Sequence, residues 1–289
     1  MQTLKQNFKP YKGYVYMVLS AFFFCLMTVF VKSASVKLGT MQIVLVRGIF
    51  TFLFTFVLLK TNKVSLWGRS YKILVLRGIT GSIALYFVYE SIQRLSLYEA
   101  TSIQYLYPIF TTILASVILS EKVYKKIFLS VILGFLGVFV LLKFPFIYNV
   151  KSISVQSLII SLSGAFLTAL AYVLVRLASK KNESPFLIMF YFPLFTIPMS
   201  LPFAIFEWQS PNLYEWCILL MVGICTQLGQ MFLTFGYKVL PASNAALTSY
   251  VQVPLSALFG YILFFESISY NFIFGSMIIF ISIAMVLKK

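Results

Sequence analysis

Ten apolar stretches run through this chain in two sets of five, and each reads as a helix that crosses a bilayer. A helix rising 1.5 Å per residue needs roughly 20 mostly apolar residues to span the hydrocarbon layer. The first set covers residues 13–31, 41–59, 73–92, 100–119 and 127–142; the second covers 155–175, 186–206, 216–237, 242–265 and 272–287. Connections between them are short and leave almost nothing for a soluble domain. The two sets also match: Val29, Val31, Ala34 and Ser35 fall on Val173, Val175, Ala178 and Ser179, and Ala100 and Pro108 on Ala246 and Pro254. Shared Val and Ala carry little weight in so apolar a chain. Asp and Glu together number only seven, however, so the pairing of Glu121 with Glu266 weighs more; the same shift places Lys143 on Lys288. Five is odd, so the second unit must enter the membrane from the opposite side. The expected fold is an all-α integral membrane protein of ten transmembrane helices, built as two inverted five-helix repeats over residues 13–143 and 155–288.

Composition and charge placement agree with this. Hydrophobic residues make up 61% of the chain and charged ones 10%, with mean hydropathy +0.95, against roughly 25% charged in a soluble domain. A net charge of +16 raises the question of nucleic acid. With a cytoplasmic N-terminus, most of the 23 Lys and Arg lie on the inner side, among them Lys12, Lys60, Lys63, Arg69, Lys72, Lys122, Lys125, Lys126, Lys180 and Lys181. That is the bias that orients short-looped membrane proteins, and anionic lipid headgroups are a sufficient partner for it. The expectation is a multi-pass protein of the cytoplasmic (inner) membrane, both termini cytoplasmic, with no nucleic-acid partner. The basic start and first apolar segment resemble a signal peptide, but the segment's match to the sixth span favours keeping it as a helix. Cys25, Cys217 and Cys225 lack disulfide or metal-ligand spacing and read as small core residues, so no metal or cofactor is expected.

Polar residues at helical spacing inside apolar spans mark faces that avoid lipid. The ninth span repeats Asn244, Thr248, Gln252 and Ser256 every fourth residue, and the eighth carries Gln227, Gln230, Thr234 and Tyr237. The fourth presents Thr101, Gln104, Tyr105, Pro108 and Thr112, and the third Ser82, Tyr86, Glu90 and Gln93. The sixth gives Thr168, Tyr172 and Arg176, the first Cys25, Thr28 and Lys32. Interhelical hydrogen bonding accounts for any single Ser or Thr; six stripes rich in Gln, Asn and Tyr fit a shared polar cavity better. Candidate substrate-binding residues are therefore Tyr86, Glu90, Gln104, Tyr105, Pro108, Tyr172, Gln227, Gln230, Asn244, Thr248, Gln252 and Pro254.

Pro108 and Pro254 fall near the middle of their spans, where each removes a backbone donor and clashes with the preceding turn. The carbonyls so freed must be satisfied by neighbours or can line a site at the midplane. Pro193, Pro198 and Pro202 should bend the seventh span. A charge near a helix centre costs roughly 2.5–3.5 kcal/mol on insertion scales, which singles out Arg47; it either snorkels outward or faces the cavity. Glu90 either pairs locally with Arg94, four residues on, or meets a substrate amine or a proton. Lys32 and Arg176 occupy matching positions, as headgroup anchors or as cations at a cavity mouth. Glu121 and Glu266 read as structural, Glu121 beside Lys122, Lys125 and Lys126. Gly134 and Gly137 suit close helix packing, with a homodimer contact as one use for it.

Two motif series carry a family resemblance. The first runs Leu97-Tyr98-Glu99-Ala100-Thr101, Tyr107-Pro108-Ile109-Phe110 and Ser120-Glu121-Lys122; the second Ala242-Ser243-Asn244-Ala245-Ala246, Gln252-Val253-Pro254-Leu255 and Phe265-Glu266-Ser267. A polar turn leading into Ala, a mid-helix Pro and a closing Glu, together with Arg47-Gly48 and Arg77-Gly78, resemble the EamA type of the drug/metabolite transporter superfamily. The resemblance implies a ten-helix carrier of small metabolites, often an exporter, working by alternating access. It also implies that the fifth and tenth helices are peripheral to a central cavity.

Other function classes fit poorly. There is no His and no Asp, which removes the usual general base, common metal ligands and any Ser-His-Asp set. No GxxxxGK loop is present for ATP, and no filter or charged ring marks a channel. An inverted repeat is itself typical of secondary transporters. The expected activity is movement of a small amphipathic metabolite, such as an amino-acid derivative, across the cytoplasmic membrane, with export as the direction. The alternatives are an exchanger or uptake carrier for a cofactor-like molecule such as S-adenosylmethionine, for which Glu90 and tyrosine faces would suit a sulfonium, and a non-transporting membrane subunit.

Overall fold

A computed structural model describes residues 11–35, 37–95, 97–141, 154–264 and 270–287. Lys143, Glu266 and Lys288 lie outside them, as do the side chains of Gln93 and Glu99. All regular structure among the described residues is helical. The first half holds α1 (Tyr11–Ala34), α2 (Thr40–Thr61), α3 (Tyr71–Arg94), α4 (Leu97–Gln104), α5 (Tyr107–Ile118) and α6 (Lys125–Leu141). The second holds α7 (Val155–Lys180), α8 (Pro185–Phe206), α9 (Leu213–Val239), α10 (Ala242–Thr248), a 3₁₀ turn at Ser249–Val251, α11 (Gln252–Phe264) and α12 (Tyr270–Leu287). Seven helical stretches among the described residues are long and apolar enough to cross a membrane: α1, α2, α3, α7, α8, α9 and the tract Ala242–Leu263. Tyr107–Ile118 and Tyr270–Val286 are shorter apolar helices. The chain is thus a multi-pass membrane protein.

Local chemistry sets several helix ends. Ser154 caps α7 by accepting from the Ser157 N–H at 3.2 Å. Asn212 and Glu215 form a reciprocal capping box on α9, satisfying two donors that the first turn leaves open. Pro185 opens α8, where its missing N–H costs nothing. The three internal prolines of α8 leave it one continuous helix, in which Thr196 and Ser200 hydroxyls donate back to the Phe192 and Thr196 carbonyls at 2.9 and 2.8 Å.

The fourth and ninth stretches differ from simple kinked spans, because each is broken into two helices. Pro108 is the second residue of α5; it cannot donate to the Gln104 carbonyl and its ring clashes there, so α4 stops at Gln104. Ahead of Pro254 the chain tightens into the 3₁₀ turn, between α10 and α11. The two breaks meet. The Tyr250 hydroxyl donates to the Tyr105 carbonyl at 3.2 Å, the Tyr107 and Ser249 hydroxyls bond to each other, and the Tyr105 and Tyr250 rings lie 6.1 Å apart.

Helices pair across the halves in a matched way. The most extensive contacts are α1 with α9, α3 with α7, α2 with α8, and α6 with α12. Exchanging each helix for its repeat counterpart turns the first pair into the second and leaves the other two unchanged. Gly134 and Gly137 serve this packing within the chain: a side chain on Gly137 would meet the Gly275 carbonyl oxygen at 2.9 Å, and one on Gly134 the Tyr250 ring at 2.7 Å. Their closest approach is therefore to α12 and to the break in the second half.

Candidate functional site

A cavity of about 250 Å³ lies where the two breaks face α1, α2, α3, α7, α8 and α9. It draws Phe24 and Met27 from α1, Arg47 from α2, and Arg77, Gly81, Ala84, Leu85 and Val88 from α3. Gln104, Tyr105 and Tyr107 come from the first break, Thr168, Ala171 and Tyr172 from α7, Phe192 from α8, Thr226 and Gln230 from α9, and Gln252 from the second break. A smaller cleft beside it shares Arg47, Phe192, Thr226 and Gln230 and adds Gln227 and Pro193.

Of the residues singled out in sequence, Arg47, Gln104, Tyr105, Tyr172, Gln230 and Gln252 converge on this cavity, and Gln227 on the adjoining cleft. Gln104 Nε2 donates to the Thr168 hydroxyl at 3.1 Å, tying α4 to α7. Pro108, Thr248 and Pro254 are buried and do not line the cavity. Asn244 is turned toward α1, donating to the Tyr14 hydroxyl at 2.8 Å. Tyr86 borders a separate crevice with Ser82, Tyr89 and Ser200.

Glu90 and the two repeat-matched cations are placed elsewhere. The Glu90 carboxylate accepts from Arg94 Nε at 2.7 Å, one helical turn away on a partly exposed face. Lys32 is exposed in the last turn of α1. Arg176 is held by Glu121 at 2.9 Å, and its Nη1 donates to the Tyr237 and Lys238 carbonyls at 3.0 and 2.8 Å. Glu121 also takes Lys180 at 3.1 Å and the Ala242 N–H at 2.8 Å. This cluster binds the end of α5 to α7, α9 and α10. Partial burial pushes the Glu121 carboxyl up, but the hydrogen bonds from Arg176, Ala242 and Lys180 outweigh it and hold it below the usual carboxylate value.

Several cavity residues were not among the substrate-binding candidates from sequence, and Arg77, named there only in the Arg77-Gly78 motif, matters most. It is 3% exposed, six residues into α3, with its guanidinium 4.6 Å over the Phe192 ring. Its Nε and Nη1 are buried without hydrogen-bond partners, as is the Thr226 hydroxyl. Arg47 is 6% exposed and among the described residues makes only a long contact, 3.7 Å, from Nη1 to the Met27 sulfur. The sequence signal for Arg77 was its depth in an apolar span, with Gly81 one turn later. Aromatic rings pack in and behind the wall: the Tyr107 and Tyr172 rings meet at 5.5 Å, and Tyr172 meets Tyr237, outside the lining, at 5.4 Å. No carboxylate lines the cavity among the described residues, and none holds a three-ligand metal cluster.

This arrangement can bind a small molecule by stacking and by donated hydrogen bonds. The comparisons with known proteins agree. The chain is 28% identical to the pseudopaline exporter CntI of Pseudomonas aeruginosa over 88% of both chains. It is 28% identical to the S-adenosylmethionine uptake transporter of Rickettsia prowazekii, over 62% of this chain and 59% of that one. A solved crystal structure, 16% identical, superposes with a TM-score of 0.80 over 93% of this chain and 94% of the other, which shows a shared fold. The model of the EamA-like transporter family matches twice, at residues 11–143 and 156–288. With both halves matched, the chain belongs to the EamA-like transporter family, within the drug/metabolite transporter superfamily.

Proposed function

We propose that this protein is a secondary transporter that moves a small amphipathic metabolite across the cytoplasmic membrane by alternating access, with export as the direction and both termini cytoplasmic. The observation that carries this is the cavity at the meeting of the two helix breaks, walled by both repeats and furnished with buried donors that lack partners. Irregular backbone at membrane depth is tolerated only where protein or a cavity satisfies it, and in carriers of this build it surrounds the substrate. A volume of about 250 Å³ lies just below the range of roughly 300–1,000 Å³ for drug-sized ligands, which suits a molecule of amino-acid size. The pseudopaline exporter among the relatives supports export.

The relative named for S-adenosylmethionine uptake is the ground for the alternative of a cofactor carrier. The tyrosine faces would suit a sulfonium, but two guanidiniums with no carboxylate in the lining weigh against a cationic substrate. Vesicles reconstituted with the protein and loaded with a bacterial metabolite extract test the proposal. Selective loss of a few compounds, compared with protein-free vesicles and with or without a pH gradient, is expected. No selective loss under either condition would overturn it.

A further inference from the structure

We infer that the cavity takes an organic oxyanion, a carboxylate or a phosphate ester, with its charged group on the guanidinium of Arg77 and Arg47 as the second cation. This rests on the transporter reading above and names the substrate class for that site. Arg77 is almost fully buried, borders the cavity, and keeps two N–H-bearing nitrogens without partners. A buried charge is strongly disfavoured unless paired and hydrogen-bonded. The Phe192 face, 4.6 Å from the guanidinium, stabilises it in part but accepts no hydrogen bond in the plane of the fork. Planar guanidinium donors match the two oxygens of a carboxylate, or two of a phosphate, in paired bonds.

The surroundings favour an anion at this site. Arg47 borders the same cavity from α2 and is likewise buried, with only a sulfur near its Nη1. The buried Thr226 hydroxyl adds a polar group without a partner. Acidic residues among those described are engaged elsewhere, Glu90 with Arg94, Glu121 with Arg176 and Lys180, and Glu215 with Lys37, or lie away from the lining. The same lining holds the Tyr105 and Tyr172 rings and Phe24, which suit the apolar part of a metabolite. In a medium of low dielectric, two like charges around one space leave a field that only an anion relieves.

The test uses neutral phosphatidylcholine vesicles carrying the full chain and loaded with metabolite extract, the released compounds being sorted by the charged groups they carry. Compounds released selectively by the wild type are expected to carry a carboxylate or a phosphate, and the list distinguishes the two. Arg77→Gln is expected to slow their release by about tenfold or more, and Arg77→Lys, which keeps the charge but not the fork, by less. Gel filtration shows whether each variant folds; if Arg77→Gln does not, the charge sorting of the wild-type release decides alone. Selective release of compounds that carry neither a carboxylate nor a phosphate, or unchanged release by a folded Arg77→Gln, would overturn this inference and leave the transporter reading standing. Release of nothing by the wild type would overturn both.

Discussion

Gly81 sits one turn beyond Arg77, and an added methyl group there would collide with Arg77 Nη1 and approach the Phe192 ring at 3.0 Å. Both are ends of movable side chains, so the helix can absorb the change while the guanidinium is turned away from its present aim. Gly81→Ala is expected to change stability by no more than about 1 kcal/mol while raising the half-saturating substrate concentration for efflux by about tenfold, measured on reconstituted vesicles beside thermal unfolding. The same residues show what sequence could reveal. Helical spacing gathered Gln104, Tyr105, Tyr172, Gln230 and Gln252 because their stripes need only the 3.6-residue period. It could not choose between snorkelling and cavity for Arg47, because that depends on how α2 is rotated against α8. Nor could it separate Tyr86 from the cavity, since the face of α3 that meets it is fixed by packing on α7. Glu90 had a partner within its own helix, and that local pair is the one formed.

Elements carry the next lesson. Both mid-span prolines were legible as interruptions, but a single helix with a bend and two helices with a turn look alike in sequence. What separates them here is the hydroxyl network from Tyr107, Ser249 and Tyr250, which satisfies backbone and side-chain groups at the break only because the other half supplies it. Pro108→Ala restores a donor to the Gln104 carbonyl and removes the clash. It is expected to leave stability within about 1 kcal/mol while lowering efflux at least about tenfold, as helix replaces the turn that presents Tyr105 and Tyr107. The Glu121 cluster is the second element-level device. Its folded pKa lies below the ordinary 4.5, so its contribution is complete above that value and fades as pH falls through the lower, folded-state pKa. Glu121→Gln is expected to cost on the order of 2 kcal/mol near neutral pH, and the gap in thermal unfolding between wild type and variant should narrow as pH falls below the ordinary carboxylate value. A gap that stays constant would show that the carboxylate's charge is not what holds α5 to α7.

At the scale of the molecule, the matched pairing of α1 with α9 and α3 with α7 was foreshadowed by the duplicated motifs, but which helices touch was not. The α6–α12 seam is likewise a product of backbone proximity at Gly137 and Gly275, where a side chain on Gly275 would meet the Gly137 carbonyl at 2.6 Å. Gly137→Val is expected to force that seam apart and lower the unfolding temperature by several degrees, about 2 kcal/mol of overpacking, with the cavity lining untouched. The cross-half pairing has a further consequence, and it concerns how the protein is made. Its N-terminal half leaves the ribosome first and enters the bilayer carrying Arg47, Arg77 and the Gln104 face before α7, α8 and α9 exist to cover them. Until the second half arrives, those side chains must borrow water or lipid headgroups, so membrane insertion of the early helices and completion of the fold are separate events in time.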